Sequence, residues 1–377
     1  MEFGIFIQAH VPKHRQEADP DAEHASIMND VELIKEADRH NWKYVWVTEH
    51  HFLEEYSHLS ANEVFLGYLA ACTERIHLGS GIFNITPPVN HPARVAERVA
   101  MLDHLSNGRF EFGTGRGAGS HEVTGFPIPD TTVTKEMWDE VITEFPKIWS
   151  QTDYSHDGKH FSMPARDVLP KPYKKPHPPM WVACGNPPTY EKAARMGLGT
   201  LGFNFSPVQA MKPMVDAYKA AIGEAQPVGA YVNNNVMITN TVVCLEDGQK
   251  AREVACEMGS ARLSSLVFRY HDTFPKPEGV PDWPDALPEP SLAEVQWRID
   301  NGYMLCGNPD EVLEQVKIYQ QVGCDQLVFG LPIDMDMECA LETVRLFGDH
   351  VIPELDKDPV HSTTHYREAA AERLDLG

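Results

Sequence analysis

Short apolar runs alternate along the chain with longer segments in which apolar residues recur at helical spacing. Short runs flanked by turn residues are typical of buried strands, and the longer spacing is typical of amphipathic helices. This alternation predicts parallel strands joined by crossover helices. The pattern predicts strands at about 2–7, 44–49, 76–83, 109–115, 180–184, 199–203, 235–243 and 326–330.

The segments between these strands are predicted to be helices. Eight parallel strands with intervening helices favour a closed α/β barrel of the TIM type. An open doubly wound sheet is the alternative, but the first strand–helix turn lacks the GxGxxG pattern that this fold would place there. The predicted helices cover about 24–41, 61–73, 92–105, 135–150, 187–196, 207–224, 248–266 and 336–347.

One long segment interrupts the pattern before the last strand. Its centre, 275-PKPEGVPDWPDALPEP-290, has six prolines in 16 residues and cannot be helical. A loop of this length is commonly a lid or a binding loop, and a passive surface insertion is the alternative. We therefore predict one barrel domain over 1–355 with an insertion or lid at about 268–300. The polar C-terminal tail, 356–377, is expected to be loosely held or used in oligomer contacts.

The amino-acid composition limits which kinds of partner the protein can bind and in which cellular compartment we expect it. The chain has 377 residues, of which 42% are hydrophobic, and a formal net charge of −23. A field of this sign repels nucleic acid and anionic membrane surfaces. No window approaches the ~18 apolar residues that span a bilayer, and 1-MEFGIFIQAH-10 does not resemble a signal peptide. The seven scattered cysteines form no CxxC pair, so we expect a reducing, cytoplasmic location.

Catalytic groups of a TIM barrel lie at the carboxyl ends of the strands, where 47-VTEHHF-52 follows the second strand. Adjacent residues of a strand face opposite sides, so His50 and His51 do not readily share a metal ion. Further ligands at later strand ends are missing, and we predict no metal site. The position favours His50 as an acid–base group, since histidine can change charge near neutral pH, and His51 as a packed structural residue.

Two other strand ends have features of a phosphate site. Arg116 follows the fourth strand among four glycines of 113–119, which let backbone amides approach a ligand. In 184-CGNPPT-189 a helix is predicted to begin after the fifth strand, with Asn186 as N-cap and Thr189 in the first turn. A helix N-terminus attracts phosphate through its free N–H groups. The alternative is that Asn186 only caps its own helix.

Taken together, these strand-end segments resemble the bacterial luciferase-like monooxygenase superfamily. The most specific feature is a long block in which NHPARVAE is followed by LDHLSNGRFEFG. The resemblance covers nearly the whole chain, with 151–179 and 268–300 as its least informative parts. The segments that carry it are 1-MEFGIFI-7, 46-WVTEHHF-52, 78-LGSGIFNITPPVNHPARVAERVAMLDHLSNGRFEFGTGRG-117, 180-MWVACGNPPTYEKAARMG-197 and 303-YMLCGNPDEVLEQVKIYQQVGCDQLVFG-330.

The resemblance implies an FMN-dependent monooxygenase that works with a separate flavin reductase. The reductase supplies reduced FMN (FMNH2), and O2 then gives a C4a-peroxide that oxygenates an organic molecule. We expect a small apolar carbonyl or hydrocarbon-like substrate, which the sequence does not identify. The alternatives are a relative that uses the deazaflavin F420 for hydride transfer and a non-catalytic flavin-binding subunit.

The same resemblance assigns roles to individual residues around the flavin phosphate. His50 matches the catalytic base of light-emitting luciferases. Arg116 matches the arginine that binds the phosphate, together with Asn186, Thr189 and the amide of Gly185. The presence of both His50 and Arg116 argues against a non-catalytic subunit.

Two further positions concern the flavin ring. The family often has a non-prolyl cis peptide beneath the ring, and by alignment this is Phe83–Asn84, which would place Asn84 near the isoalloxazine. Gly115 stands where the luciferase catalytic subunit has a reactive cysteine. Bioluminescence is therefore not expected, and the glycine would leave more room over the flavin.

The family usually pairs through its second and third helices, so we expect a homodimer. Helix 61–73 has an apolar stripe that would serve the core or a partner equally well. This stripe consists of Val64, Phe65, Tyr68, Leu69 and Cys72.

Overall fold

The computed structural model describes residues 1–274, 276–331 and 334–375 and contains a closed parallel barrel. The strands in this part of the chain are β1 (Glu2–Ile7), β2 (Tyr44–Val47), β3 (His77–Ser80), β4 (Phe83–Asn84), β5 (Phe110–Gly115), β6 (Tyr154–Asp157), β7 (Ser162–Arg166), β8 (Met180–Cys184), β9 (Gly199–Gly202), β10 (Val236–Cys244), β11 (Leu305–Gly307) and β12 (Gln326–Gly330). The barrel follows the order β1–β2–β3–β5–β8–β9–β10–β12, and β12 pairs with both β10 and β1. The predicted TIM-type barrel is confirmed, and seven of its eight predicted strands lie close to the predicted positions, whereas the predicted strand 76–83 is divided into β3 and β4.

The barrel interior is filled by side chains, so the barrel is a packed core and not a pore. Alternate residues of the strands point inward and form a cluster that includes Tyr44, Trp46 and Trp181. The indole rings of Trp46 and Trp181 meet edge to face, with centroids 5.1 Å apart. The opposite faces of the strands join a second, larger cluster with the surrounding helices. Ligands and catalytic groups are therefore confined to the rim, as in other barrels of this type.

Helices surround the barrel and were predicted less completely than the strands. The described helices are α1 (Lys13–Ala18), α2 (Ala22–Arg39), α3 (Asn62–Cys72), α4 (Pro92–Leu105), α5 (Ser120–Thr124), α6 (Thr134–Ile142), α7 (Phe145–Ser150), α8 (Pro187–Arg195), α9 (Lys212–Ala221), α10 (Gly248–Glu257), α11 (Ser260–Tyr270), α12 (Leu292–Asp300), α13 (Pro309–Val322), α14 (Met337–Leu346), α15 (Ile352–Leu355) and α16 (Ser362–Arg373). Short 3-10 or π turns lie at Val208–Met211, Ile222–Glu224 and Phe347–Val351. None of the described helices is long and apolar enough to cross a membrane.

Two predicted helices are each divided into two. The prediction of one helix over 248–266 was wrong because Gly259 has a φ of +72°, in the left-handed region that a helix cannot contain. The prediction over 135–150 was wrong because a new helix, α7, starts there with Pro146 in its first turn. Proline lacks an N–H group and clashes with the preceding turn, so it is tolerated only at a helix start.

The insertion before the last strand has little regular structure, as its prolines predicted. Residues 276–290 contain no helix or strand, and Pro275 lies outside the described residues. The predicted segment, 268–300, nevertheless ends in a helix, α12. Ser291 and Glu294 form a capping box at its start. The S-x-x-E spacing of Ser291 and Glu294 is a sequence pattern typical of the start of a helix.

The C-terminal tail is not loosely held, which corrects the expectation for 356–377. Its helix, α16, packs on the amino-terminal side of the barrel, and residues 376–377 lie outside the described part. Arg367 of α16 is buried and forms an ion pair with the buried Asp103, with 2.8 Å between Nη2 and Oδ2. The backbone N–H of Ser362 donates to the buried Glu2 at 2.9 Å. Buried carboxylates need such partners, because an unpaired buried charge is costly.

The Arg367–Asp103 pair gives a direct stability prediction. We expect Arg367→Ala to lower the free energy of unfolding by about 3–5 kcal/mol, because it leaves the Asp103 carboxylate buried without its cation. Denaturant unfolding would measure this change. The control is Glu368→Ala, an exposed residue of the same helix, which should change stability by less than about 0.5 kcal/mol. Equal unfolding midpoints for the two variants would contradict a docked tail.

Candidate functional site

The residues predicted to be functional follow three strands whose carboxyl ends lie on the same rim of the barrel. His50 follows β2, Arg116 follows β5, and Gly185 follows β8. Because β5 pairs with β8 through Thr114 and Val182, Arg116 and Gly185 leave adjacent strands. Only β3 separates β2 from β5 in the barrel. The structure therefore places all three strand ends on one side of the molecule.

His50 contacts a carboxylate that comes from the segment after β5. Its Nδ1 lies 3.1 Å from Oε2 of Glu122, and both side chains are buried. A histidine N–H that donates to a carboxylate fixes the orientation of the ring and leaves the other nitrogen for a ligand. Nε2 of His50 has no hydrogen-bond partner among the described residues. The His50 ring also lies near Tyr56 and His271, with centroids 5.5 and 5.6 Å away.

Glu49 and His51 form a separate pair on the other side of this segment. Nε2 of His51 lies 3.0 Å from Oε1 of Glu49. Burial raises the pKa of Glu49, and the hydrogen bond from His51 opposes part of that rise. Burial would lower the pKa of His51, but the hydrogen bond and charge of Glu49 outweigh it and raise the pKa. The pair is structural in character, since Glu49 also accepts from the backbone N–H of Asn84 at 3.1 Å.

The non-prolyl cis peptide is Gly81–Ile82, and not Phe83–Asn84 as expected. The physical reason is that Phe83 and Asn84 form β4, which pairs with β5 in regular parallel geometry, so the irregular bond falls in the break between β3 and β4. Phe83 is also unsuited to contact a ligand at the rim. Its ring packs outside the barrel against Phe110, at a centroid distance of 6.2 Å.

Asn84 faces the rim and has an unused hydrogen-bond donor. Its Oδ1 accepts from the backbone N–H and the hydroxyl of Thr86, at 3.1 and 2.7 Å. Its Nδ2 is buried without a partner in the described structure. A side chain added at Gly117 would contact this nitrogen, so Nδ2 lies beside the loop that follows Arg116. Buried polar atoms are usually paired, and an unpaired one on a rim indicates a missing ligand or water.

Arg116 is a partly buried cation that has no counterion among the described residues. Its Nη1 donates to the carbonyl of Thr131 at 3.1 Å and to the hydroxyl of Thr134 at 2.8 Å. It forms no ion pair with any described residue, and burial lowers its pKa, with only the more distant charge of Asp139 in opposition. Nε and Nη2 have no acceptor among the described residues. A guanidinium in this state is suited to an anionic ligand group.

The start of α8 is less open to an anion than an ordinary helix start. Asn186 and Thr189 form a capping box, in which the Asn186 side chain accepts from the Thr189 backbone N–H at 3.2 Å. The next two residues, Pro187 and Pro188, have no N–H to donate. The hydrogen bonds in the structure are therefore those of the alternative interpretation, in which Asn186 caps its own helix. Gly185, directly before the cap, is exposed.

Gly115 does not leave free space above a ligand, which corrects another expectation. A Cβ atom at Gly115 would lie 2.6 Å from Cγ1 of Ile82. Ile82 packs against the inner cluster of the barrel and already fills the position that a larger residue would take. The glycine is therefore required by the close approach of Ile82.

The first residues of the insertion cover the loops after β5 and β8. The backbone N–H of Ser120 donates to Oδ1 of Asp272 at 2.9 Å, and the Ser120 hydroxyl also donates to this carboxylate. The hydroxyl of Thr273 donates to the carbonyl of Ala118 at 2.8 Å. The ring of Phe274 lies against Gly185, where a Cβ would be 2.9 Å from Cε1. Residues 271–274 thus contact both predicted phosphate-binding loops.

A cavity of about 650 Å³ opens on the other half of the rim, at the ends of β1, β9, β10 and β12. Aromatic side chains from the rim and from α11 form much of its wall, including Phe6, Phe203, Phe205 and Phe268. Tyr56 also lines the cavity and so connects it with His50. The cavity and the Arg116 loop therefore flank the central part of the rim from opposite sides.

The sequence did not indicate several residues of this site. Glu122 lies just after the glycine-rich segment 113–119, where a carboxylate shortly after a rim arginine was an available but weak signal. His271 and Asp272 had no signal, because the insertion has no periodic pattern. Burial and the charge of His50 lower the pKa of His271 to about 3, so its ring is neutral. Within the described chain, no group of three or more His, Cys, Asp or Glu side chains could hold a metal ion.

Comparison with known proteins identifies the family. The family model for luciferase-like monooxygenases matches residues 1–326, and the chain belongs to this family. This agrees with the barrel and with the polar groups on its rim.

The relatives include a flavin-dependent enzyme, and the solved structures with a similar fold include an F420-dependent one. The chain is 25% identical to the oxygenase component of flavin-dependent trigonelline monooxygenase from Acinetobacter baylyi over 345 residues, covering 88% of this chain and 90% of that protein. The oxygenating constituent of 3,6-diketocamphane monooxygenase from Pseudomonas putida, solved in complex with FMN, superposes with a TM-score of 0.75 and 19% identity, covering 94% and 98% of the two chains. An F420-dependent secondary alcohol dehydrogenase superposes with a TM-score of 0.67 and 18% identity, covering 93% and 98%. These two structures show a shared fold.

Proposed function

We propose that this flavin-dependent monooxygenase is the oxygenase component of a two-component system that uses reduced FMN, O2 and a small apolar carbonyl or hydrocarbon-like substrate. The observation that carries the proposal is the unpaired, partly buried Arg116 on the same rim as the unpartnered Nδ2 of Asn84. Arg116 would hold the flavin phosphate, and Asn84 would donate to the flavin ring. The bound reduced flavin supplies the activation of O2. A separate reductase is consistent with the name of the Acinetobacter relative, an oxygenase component.

The residues around His50 would then handle protons and exclude water. His50 would accept or donate a proton at Nε2, since Nδ1 is held by Glu122 at 3.1 Å. The cavity beside Tyr56 would hold the substrate. Residues 271–274 and the insertion that follows would shield the site, because water expelled from an active site cannot quench a reactive intermediate.

A flavin titration tests the proposed function. The protein would be titrated anaerobically with reduced FMN, with F420, and with riboflavin, which lacks the phosphate. We expect reduced FMN to bind more tightly than the other two, and oxygenated product to form when air and a panel of small carbonyl compounds are added. Tight binding of F420 alone would favour the hydride-transfer alternative. Binding of neither cofactor would favour a non-catalytic subunit.

The contact between the insertion and the Ser120 loop gives a prediction on water exclusion. We expect Asp272→Ala to increase by about fivefold the rate at which the bound reduced flavin, without substrate, is reoxidised by O2, which is itself reduced to hydrogen peroxide. The reason is that the hydrogen bonds between Asp272 and Ser120, which this variant lacks, stabilise the packing of residues 271–274 on the loop after β5 by roughly 1 kcal/mol. Rapid mixing with aerated buffer and peroxide detection would measure the rate.

The control for this prediction is Asp282→Ala, which removes a carboxylate from the same insertion. Asp282 is exposed, and within the described part of the chain its carboxylate pairs with Lys276 alone, so its loss should leave the rate of peroxide release unchanged. An unchanged rate in the Asp272 variant would show that residues 271–274 do not shield the site.

We also propose a homodimer that uses α3 and α4. The structure divides the apolar stripe of α3, because Phe65 and Leu69 are buried whereas Val64 and Tyr68 are exposed. The neighbouring helix α4 exposes two more large apolar side chains, Met101 and Leu105. Exposed large apolar side chains on two neighbouring helices are typical of an interface, and sedimentation equilibrium would measure the association.

A further inference from the structure

The cavity on the β1 side of the rim contains a carboxylate that has no counterion. Asp30 of α2 lines this cavity, and its Oδ2 accepts from the backbone N–H of Ala9 at 3.1 Å. Its other oxygen accepts no hydrogen bond from a described residue, and it forms no ion pair with any of them. Burial raises the pKa of Asp30 to about 7, opposed only by the Ala9 hydrogen bond.

The cations around this cavity do not neutralise Asp30. Arg15 pairs with Asp334 at 3.1 Å, and Arg298 donates to the hydroxyl of Ser260 at 2.9 Å. His10 also lines the cavity, but burial lowers its pKa to about 4, so its ring is neutral. A carboxylate that faces a cavity under these conditions is stabilised by a cation that enters with the ligand.

A second acceptor faces the same cavity. Gln8 follows β1, its side chain is only 9% exposed, and its Oε1 is buried without a hydrogen-bond partner in the described structure. Ala9, between Gln8 and His10, has a φ of +47°, which is unfavourable for a residue with a Cβ. The backbone N–H of Ala9 is the group that binds Asp30. Strain of this kind is commonly retained where it positions functional groups.

The remaining walls favour an apolar body with a ring. Phe6, Phe203, Phe205 and Phe268 form an aromatic part of the cavity wall, and the volume of about 650 Å³ is in the range of sites for small organic ligands. Aromatic faces also attract organic cations, by about 0.5–2 kcal/mol in desolvated sites. Aromatic rings and two acceptors without partners among the described residues together suit a ligand that has an apolar body and a hydrogen-bond-donating cation.

We propose that this cavity selects an organic ammonium ion, with an aromatic or cyclic apolar body against the phenylalanines and a protonated amine at Asp30 and Gln8. The inference rests on the proposed function, because it takes the cavity as the substrate pocket of the monooxygenase. It adds one charged group to the apolar substrate class proposed above. Asp30 favours ligands with a positive charge over neutral ones, and Gln8 accepts a hydrogen bond from one N–H of the ammonium group.

A matched pair of probes tests the charge selection in the flavin-loaded protein. The probes are 2-phenylethylammonium and 2-phenylethanol, which share the ring and linker and differ in the charged group. We expect calorimetry to show at least about tenfold tighter binding of the ammonium, as for a hydrogen bond to a charged group. In Asp30→Asn this preference should fall to about twofold or less, because the amide oxygen retains the Ala9 hydrogen bond while the charge is lost.

The control variant is Glu32→Gln, which removes an equal charge from an exposed position of the same helix. It should keep the tenfold preference, which separates the Asp30 contact from the general field of a chain with net charge −23. The inference is overturned if the wild type binds the two probes equally, if the ammonium does not bind at millimolar concentration, or if both variants lose the preference alike. Flavin affinity, measured separately on the same samples, decides the proposed function independently of these results.

Discussion

Replacing His50 with asparagine is expected to lower kcat by about 100- to 10,000-fold, the usual contribution of a positioned acid–base group. His50 is buried at the rim, with Nδ1 held by Glu122 and Nε2 unoccupied by any described residue. Asparagine retains a polar group of similar size but cannot transfer a proton. The measurement is the rate of product formation with reduced FMN, O2 and any carbonyl compound that the wild type oxygenates. The affinity for reduced FMN should be unchanged.

Two further variants make this prediction specific. His51→Asn is the matched control, because His51 is the adjacent residue and pairs with Glu49 instead, so we expect only a small loss of activity. Glu122→Gln should reduce kcat less than His50→Asn does. When Glu122→Gln is combined with His50→Asn, we expect no further loss of kcat, because Glu122 acts through His50. Additive effects, or equal losses in the His50 and His51 variants, would refute the assignment.

Replacing Arg116 with glutamine is expected to weaken the binding of reduced FMN by about 10- to 150-fold. This corresponds to the roughly 1.5–3 kcal/mol of a hydrogen bond to a charged group. In the part of the chain that the structure describes, Thr131 and Thr134 anchor the side chain through Nη1 alone, so its remaining N–H groups are available for a phosphate. Binding should be measured by anaerobic titration with both reduced FMN and reduced riboflavin.

The comparison between the two flavins isolates the phosphate contact. Riboflavin has no phosphate, so its affinity should be the same in the wild type and in Arg116→Gln. Arg94→Gln is the control, since Arg94 is an exposed arginine that pairs with Glu97 on α4. If Arg116→Gln binds FMN as tightly as the wild type, or loses affinity for both flavins alike, Arg116 does not hold the phosphate.

The barrel could be predicted from the sequence because its signals are local. Each barrel strand corresponds to a short apolar run with turn residues at its ends, and the structure has strands within all eight predicted runs. The third run was predicted to continue to position 83, whereas β3 ends at Ser80. Both β3 and β4 pair with β5, and the apolar pattern continues through the break between them, so the sequence does not mark the interruption.

The parts that were wrong depend on contacts between distant residues. The tail after 356 is polar and was expected to be loosely held or used in oligomer contacts, but Arg367 is buried and forms an ion pair with Asp103 of α4. The partner of His50 is Glu122, 72 residues away in the sequence. Neither pairing leaves a periodic signal, because an ion pair needs only one residue from each segment.

The sequence by itself determined the number and order of the barrel strands, and hence that His50, Arg116 and Gly185 leave the same rim. The reason is that parallel strands with crossover connections all end on one side of the sheet. Only the tertiary structure decided which side chains meet there, including Glu122 with His50, Ile82 over Gly115, and Asp272 on the Ser120 loop. Gln8 lies in an irregular segment without periodicity and Asp30 lies on helix α2, so only the packing of these two segments decides that both line one cavity.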